Sequence, residues 1–211
     1  MQSSEATVVV IDDEPPARKS IIALLEVNRL KTIEFASAEQ FLADLPHLPL
    51  NVCLITDITL HGMNGIELLQ ELKERKTAIP TIVITGHADI PLAVKAMRHG
   101  AVSFLEKPCK GDELLQTIDL AFQLQTQKQG EHKRNREILQ RLQTLTKKER
   151  AVLDLLIEGD ANKQIAMRLE IGLRTAEKRR ADIFTKMKTD SLARLVQMTS
   201  SVGYQPNDLS L

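Results

Sequence analysis

The chain has 211 residues, 43% of them hydrophobic and 27% charged, with a formal net charge of zero. That length admits one large or two small folded units, and the composition excludes a disordered, fibrous or disulfide-dense chain. No apolar run approaches the roughly 20 residues of a membrane-spanning helix, residues 1–5 lack a basic-then-apolar leader pattern, and a cytoplasmic protein making no membrane contact is expected.

The first half alternates two hydrophobic periods. Short apolar runs at 7–11, 32–35, 52–56, 81–85 and 102–105 read as strands, and amphipathic stretches at 17–27, 38–45, 66–73, 92–97 and 113–125 read as helices. Strands this apolar belong to a parallel sheet covered on both faces. Five β–α units predict an α/β, flavodoxin-like, doubly wound parallel five-stranded sheet of order 2-1-3-4-5. Cys53 falls in an apolar run and Cys109 has no ligand-type company, so both read as reduced thiols.

Residues 125–142 are polar, Pro-free and rich in Gln, Lys, Arg and Glu, which predicts a helical linker, with Gly130 as a possible break. Beyond it no strand pattern appears. Helical segments at 147–157, 162–169, 174–187 and 191–199 predict a small all-α four-helix unit, with a frayed tail after Gly203. The expected organisation is 6–123, 124–143 as linker, and 144–204. Zero net charge conceals an asymmetry: Lys and Arg outnumber Asp and Glu between Lys133 and Lys188, and the first half carries the acidic excess. One unit is suited to cations and the other to a polyanion.

In a doubly wound sheet, chemistry collects at the carboxyl ends of the strands. Asp12 and Asp13 close the first strand, Asp57 the third and Thr85 the fourth, and Lys107 follows the fifth. Three carboxylates brought together repel unless a cation neutralises them. A hard divalent ion such as Mg²⁺, held by Asp12, Asp13, Asp57, the backbone carbonyl of Thr59 and waters, is the expected solution. A carboxylate beside such an ion and an ammonium can attack a phosphoryl group, with the metal and Lys107 offsetting charge on the transferring oxygens.

The stretches Val-Ile-Asp-Asp-Glu-Pro (10–15), Thr-Asp-Ile-Thr-Leu-His-Gly-Met-Asn-Gly (56–65), Ile-Thr-Gly-His-Ala-Asp (84–89) and Ser-Phe-Leu-Glu-Lys-Pro (103–108) resemble, in order, the motifs of response-regulator receiver domains. The resemblance implies that Asp57 is the phosphoacceptor, taking phosphate from a phosphohistidine of a sensor histidine kinase. It implies that Asp12 and Asp13 are the metal-side acids, that Lys107 contacts the phosphate, and that the Lys107–Pro108 bond is cis. It also implies that Thr85 and Phe104 form the switch pair. A phosphoryl group on Asp57 would draw Thr85 inward by a charge-assisted hydrogen bond, and Phe104 would fill the space. Val94, Met97 and Ala101 are expected to add apolar surface for dimerisation. The chain departs from the pattern at His61, where similar receivers usually have Pro, and at Cys109, where they often have Phe. His61 reads as a plain loop histidine rather than a metal or relay group, and a more mobile loop after Asp57 is expected.

In the second half, Ile165, Ala166 and Leu169 mark an inward face, 170–173 is a tight turn, and the following helix is two-faced. Ala176, Arg179, Ile183 and Met187 lie on one side, and Arg174, Glu177, Lys178, Ala181 and Thr185 on the other. The second side is polar and free to enter a major groove, with Lys163, Arg180 and Lys188 suited to phosphates. The stretches 145–153, Gly159 with 162–166, and 174–177 with 186–187 resemble the LuxR-type helix-turn-helix, and with the receiver they match the NarL/FixJ architecture. That resemblance implies a recognition helix at 175–186, promoter DNA as partner through Lys163, Arg174, Thr175, Glu177, Lys178, Arg179, Arg180 and Lys188, RNA polymerase as a further partner, and a homodimer when phosphorylated. Gly172, Ala176 and Arg179 stand where the family usually has Ser, Val and His. A phosphorylation-dependent transcription regulator, not an enzyme, is therefore expected. The alternatives are a constitutive DNA binder with a receiver scaffold, and a phosphohydrolase or flavin protein on the same fold.

Overall fold

The computed structural model describes residues 6–86 and 89–206. The chain divides into two compact units, Met1–Lys128 and Gln129–Leu211. In the first, β1 (Thr7–Ile11), β2 (Lys31–Phe35), β3 (Val52–Asp57), β4 (Thr81–Thr85) and β5 (Ser103–Glu106) form one parallel sheet of order β2-β1-β3-β4-β5. The helices α1 (Pro15–Val27), α2 (Ala38–Asp44), α3 (Gly65–Glu74) and α4 (Ile90–Arg98) alternate with the strands, and α5 (Gly111–Gln143) follows the last. A 3-10 turn at Leu45–His47 follows α2.

The central strands are buried along their whole length because both faces are covered. Val8, Val10, Cys53, Ile55, Ile82 and Ile84 pack with Leu25 of α1 and with Leu114, Ile118 and Ala121 of α5. Val9, Ile11 and Leu54 point the other way, onto Phe41, Leu42, Leu68 and Leu72 of α2 and α3. Each such fully buried aliphatic side chain contributes about 1.5–3 kcal/mol. Cys53 is a free thiol in this core, pushed up to about 12 by burial.

The second unit holds α6 (Lys147–Glu158), α7 (Asn162–Arg168), α8 (Leu173–Met187) and α9 (Leu192–Ser201). Its core gathers Ile138 and Leu142 of α5 with Val152, Leu153, Leu156, Ile165, Ala176, Ile183, Met187, Leu195 and Tyr204. Thr146 and Glu149 form a capping box at the start of α6, and Gly159 ends it at φ 96°. Among the described residues, no helix is long and apolar enough to cross a membrane.

Three expectations change. The helical linker carries no break: α5 runs unbroken through Gly130 for 33 residues. One glycine costs only about 1 kcal/mol in a helix, and the flanking Gln, Lys, Glu and Arg are good helix formers. The tail after Gly203 is not frayed at its start, because Tyr204 is buried in the helical core and its hydroxyl donates to Asp154 at 2.8 Å; residues 207–211 lie outside the described residues. Ala101 is buried beside Ala96 and Val83, so it supplies core rather than exposed apolar surface.

Candidate functional site

The parallel register places the ends of β1 and β3 side by side, with Ile11 opposite Thr56. The residues just beyond, Asp12 and Asp57, are therefore neighbours. Asp12 is 1% exposed and Asp57 7%. Gly65, the first residue of α3, allows this geometry: a Cβ there would lie 2.3 Å from the carbonyl oxygen of Asp57. Only glycine lets that helix start close against the strand end.

Every oxygen of the buried pair has a donor. Asp12 Oδ1 accepts from the backbone N–H of Glu14 at 2.9 Å, and Asp57 Oδ1 from that of Thr59 at 2.9 Å. The two remaining oxygens share one ammonium: Lys107 Nζ donates to Asp12 Oδ2 at 2.7 Å and to Asp57 Oδ2 at 2.5 Å. Burial pushes the Lys107 ammonium down, but hydrogen bonds and charge from Asp12 and Asp57 outweigh it and hold the group above the ordinary lysine value. The Lys107–Pro108 peptide is cis. The Lys107 N–H donates to the carbonyl of Thr85 at 2.8 Å, which joins the end of β5 to the end of β4. Thr85 is fully buried, whereas Phe104 is half-buried against the cluster of Ile58, Ile66, Leu69, Val83 and Ala96. His87 and Ala88 of the third motif lie outside the described residues.

Asp13 stands apart from this trio. Its Oδ2 accepts the backbone N–H of His61 at 3.1 Å and is also met by His61 Nδ1. Burial pushes the Asp13 carboxyl up, and the bonds and charge from His61 outweigh it, leaving the group below the ordinary carboxylate range. Among the described residues, no three His, Cys, Asp or Glu side chains gather into a ready cage for a metal ion. The physical reason is that the Lys107 ammonium supplies the counter-charge between Asp12 and Asp57, while His61 takes Asp13. The donor chemistry itself suits a hard cation, because Asp12 and Asp57 in the pocket and Asp13 beside the His61 loop are all carboxylates.

The loop after Asp57 is also tighter than expected. Its amides are engaged one after another: Leu60 N–H to the Ile58 carbonyl, His61 N–H to Asp13, Met63 N–H to Glu39 at 2.7 Å, and Asn64 in a capping box with Glu67. Gly62 takes φ 81° there, and a Cβ would meet Glu39 Oε1 at 2.5 Å. Sequence reasoning missed Glu39, and it missed Arg18, whose guanidinium donates to the Asp12 carbonyl at 2.5 Å and to Glu34 at 2.9 Å. Both look like solvated helix residues in the chain, and nothing in their spacing announces a partner on another element.

The second unit presents a different surface. On α8, Ala176, Ile183 and Met187 are buried, while Arg174, Thr175, Glu177, Lys178 and Ala181 are exposed. Arg179 and Arg180 are half-buried. Arg180 donates to Asn162 at 2.9 Å and lies 5.4 Å over the Phe184 ring, which fixes its guanidinium beside α7. Lys163 is exposed at the start of α7, and Lys188 is exposed as the left-handed cap of α8 at φ 53°. Gly172, the N-cap of α8, offers no side-chain oxygen, and the Thr175 N–H turns back to the Gly172 carbonyl at 2.9 Å instead. Lys186 is turned away into a pair with Glu149 at 2.7 Å.

Comparison with known proteins matches both halves. Residues 8–119 match the family model "Response regulator receiver domain", and residues 143–199 match "Bacterial regulatory proteins, luxR family". The transcriptional regulatory protein FixJ of Rhizobium meliloti is 41% identical over 204 residues, covering 97% of this chain and all of FixJ. Among solved structures, the response regulator StyR superposes with a TM-score of 0.76 at 35% identity, covering 93% of this chain and 98% of StyR. Full-length FixJ from B. japonicum superposes with a TM-score of 0.59 at 37% identity, covering 95% and 98%.

Proposed function

We infer the working of this protein from one premise: the chain belongs to the response-regulator family that joins a receiver domain to a LuxR-type DNA-binding domain. It is a transcriptional regulator of the two-component type. The reading proposed for its parts assigns 6–123 to the receiver, 124–143 to the helical linker and 144–204 to the DNA reader.

Asp57 is the phosphoacceptor. The observation that carries this is the pair of short bonds from Lys107 to Asp57 and Asp12 in one buried pocket at the strand ends. Asp57 Oδ1 is held by a backbone N–H, which leaves Oδ2, facing Lys107, as the attacking oxygen. A sensor kinase's phosphohistidine is the donor. The P–N bond breaks, a P–O bond forms to Oδ2, and the imidazole leaves with the electron pair and takes up a proton. Lys107 then shifts from the carboxylate to the phosphoryl oxygens, where its charge is needed. Asp12, Asp13 and Asp57, with the Thr59 carbonyl, would hold Mg²⁺, which screens the phosphoryl charge. Thr85, at the adjacent strand end, moves toward the acyl phosphate, and Phe104, now only half-buried, turns into the core behind it.

The exposed side of α8 reads the major groove. Arg174, Thr175, Glu177 and Lys178 face the bases, and Lys163, Arg179, Arg180 and Lys188 face phosphates. Glu177 is an acceptor among cations and suits a cytosine amino group. Phosphorylation favours a homodimer that binds paired half-sites and engages RNA polymerase, in the cytoplasm. The test is labelling. Wild-type protein incubated with the phosphorylated kinase or with labelled acetyl phosphate incorporates one phosphoryl group, and Asp57→Asn incorporates none. Label persisting on that variant would falsify the assignment.

A further inference from the structure

The exposed stripe of α8 does not stop where the helix ends. Arg174, Lys178, Ala181, Thr185 and Lys188 lie at positions i, i+4, i+7, i+11 and i+14, one face of the helix, and all five are exposed. Thr185 and Lys188 also wall a cleft of about 410 Å³, which Phe184, Thr189, Asp190 and Arg194 complete. That volume falls in the range of small-molecule sites, but such sites are lined mostly by apolar side chains, and here Phe184 is the one apolar member. The two threonine hydroxyls are engaged by the chain itself: Thr185 Oγ1 donates to the Ala181 carbonyl at 3.0 Å and Thr189 Oγ1 to that of Ser191 at 3.3 Å. The charged groups are not engaged. Among the described residues, no hydrogen bond or ion pair involves the side chains of Lys188, Asp190 or Arg194. Lys188 has a local reason to be a cation, because it caps the negative end of α8. Arg194 has none. It stands exposed in the first turn of α9, the positive end of that helix, where an acid would be stabilising and a cation is not.

We propose that this cleft is a DNA-backbone site, in which Arg194 and Lys188 together hold one phosphate at the end of the groove that α8 enters. The proposal rests on the reading of the α8 stripe as the groove-facing surface. A helix lying in a major groove brings one end against the phosphates that bound the groove. There the planar guanidinium can span two oxygens of one phosphate, and the lysine adds a point charge. The phosphate supplies the anion that Arg194 lacks within its own chain. Asp190 opposes it from the same cleft, so the local charge is two cations against one carboxylate. A contact of this kind fixes the register of α8 on the duplex and carries no sequence information.

The test is a salt titration on the full-length protein with acetyl phosphate present. Binding to a fluorescein-labelled mixed-sequence DNA duplex is followed by anisotropy for wild type, Arg194→Ala, Arg194→Lys and Asp190→Asn. Each phosphate contact contributes about 0.9 to the slope of log affinity against log salt. Arg194→Ala therefore binds about two- to fivefold more weakly, the scale of one exposed ion pair, and its slope is smaller by about 0.9 for each protomer engaged. Arg194→Lys keeps the wild-type slope. Asp190→Asn removes the opposing charge and binds more tightly by a similar factor, about two- to fivefold. Damage to the fold cannot produce that gain, so the two opposite signs separate a charge effect from a structural one. A wild-type slope in Arg194→Ala, or an Asp190→Asn that binds no more tightly than wild type, overturns the proposal and leaves the α8 reading standing. Wild type that binds no duplex at any salt concentration sinks the α8 reading itself, and the cleft with it.

Discussion

Removing Lys107 should destabilise the receiver, and removing Asp57 as well should restore it. Lys107→Met keeps the length of the side chain and deletes the ammonium that joins Asp12 and Asp57. Both acceptor oxygens lie within 2.7 and 2.5 Å of the same nitrogen, so they are at most about 5 Å apart. At that separation two bare carboxylates repel by about 3 kcal/mol for an effective dielectric of about 20. The charge-assisted bonds lost are worth about 1.5–3 kcal/mol each in isolation, and stripping one partner from a buried ion pair costs about 3–5 kcal/mol overall. The Lys107 side chain is 20% exposed, so water softens the loss. A value near 3 kcal/mol, the bottom of that range, is expected. Tyr204 makes the assay selective. It is the chain's one tyrosine, there is no tryptophan, and it lies in the helical unit. Its fluorescence reports that unit, while far-UV circular dichroism reports both. In urea, Lys107→Met should lower the midpoint of the receiver transition by roughly 1–3 M for a slope of about 1–3 kcal/mol/M and leave the tyrosine transition in place. Lys107→Met/Asp57→Asn should regain most of the loss, because the repulsion is gone. An unshifted Lys107→Met, or a double variant no better than the single, would refute the view that one ammonium holds two unwilling carboxylates together.

Glu149 sets a pH limit on the other unit. Burial raises its carboxyl, but bonds from Lys186 and Thr146 outweigh this, so its folded value lies below the ordinary one. Its stabilisation is complete above the unfolded value and is lost as pH falls through the folded value. Acid titration followed by tyrosine fluorescence should therefore show the helical unit weakening below the ordinary glutamate range, with a shallower slope in Glu149→Gln; equal slopes would count against the pairing. Tyr204→Phe removes a buried hydroxyl that donates to Asp154 and should cost that unit about 1.5–3 kcal/mol, read from the circular-dichroism transition of the helical unit. Lys178→Ala should weaken promoter binding by about 1–3 kcal/mol in a gel-shift titration, and unchanged affinity would remove Lys178 from the interface.

The sheet, its order and the convergence of Asp12, Asp57 and Lys107 were legible because each follows from local signals. Short continuous apolar runs give strands, alternation with helices gives parallel order, and parallel order puts strand ends together. What was not legible is what depends on partners far apart in the chain. Glu39 reaching Met63 and Arg18 reaching Glu34 are single side chains on helices whose own periodicity says only that they are amphipathic, and Tyr204, which reaches Asp154, lies past the end of α9. Gly130 failed as a helix break for a related reason. Glycine is a weak local bias, and a long polar helix anchored at both ends by Leu114, Ile118, Ile138 and Leu142 overrides it. The Asp13–His61 pair was hidden in the opposite way. The residue was noticed as a departure from its motif, but no pattern says toward which carboxylate an exposed ring turns.

The element best placed to carry a signal out of the receiver is the one least committed to its core. In α4, Ala96 is fully buried, while Ile90, Val94 and Met97 are 81%, 46% and 49% exposed. These three lie at positions i, i+4 and i+7, one continuous stripe of a helix. The stripe is only partly buried, so α4 is held chiefly by the Asp89 cap, Ala96 and the partial burial of Leu92. Elements that must move are drawn from the weakly anchored end of a structure. Phe104 packs half-buried against the same small cluster that Ala96 and Leu92 complete. On the proposed switch, a Phe104 ring turning inward behind Thr85 would disturb the part of the core on which α4 rests, where an apolar stripe already faces water. A second molecule covering that stripe would gain burial that the single chain cannot, so on the proposed reading phosphorylation at Asp57 would need only to bias the seat of α4, not to create a new surface, to favour association.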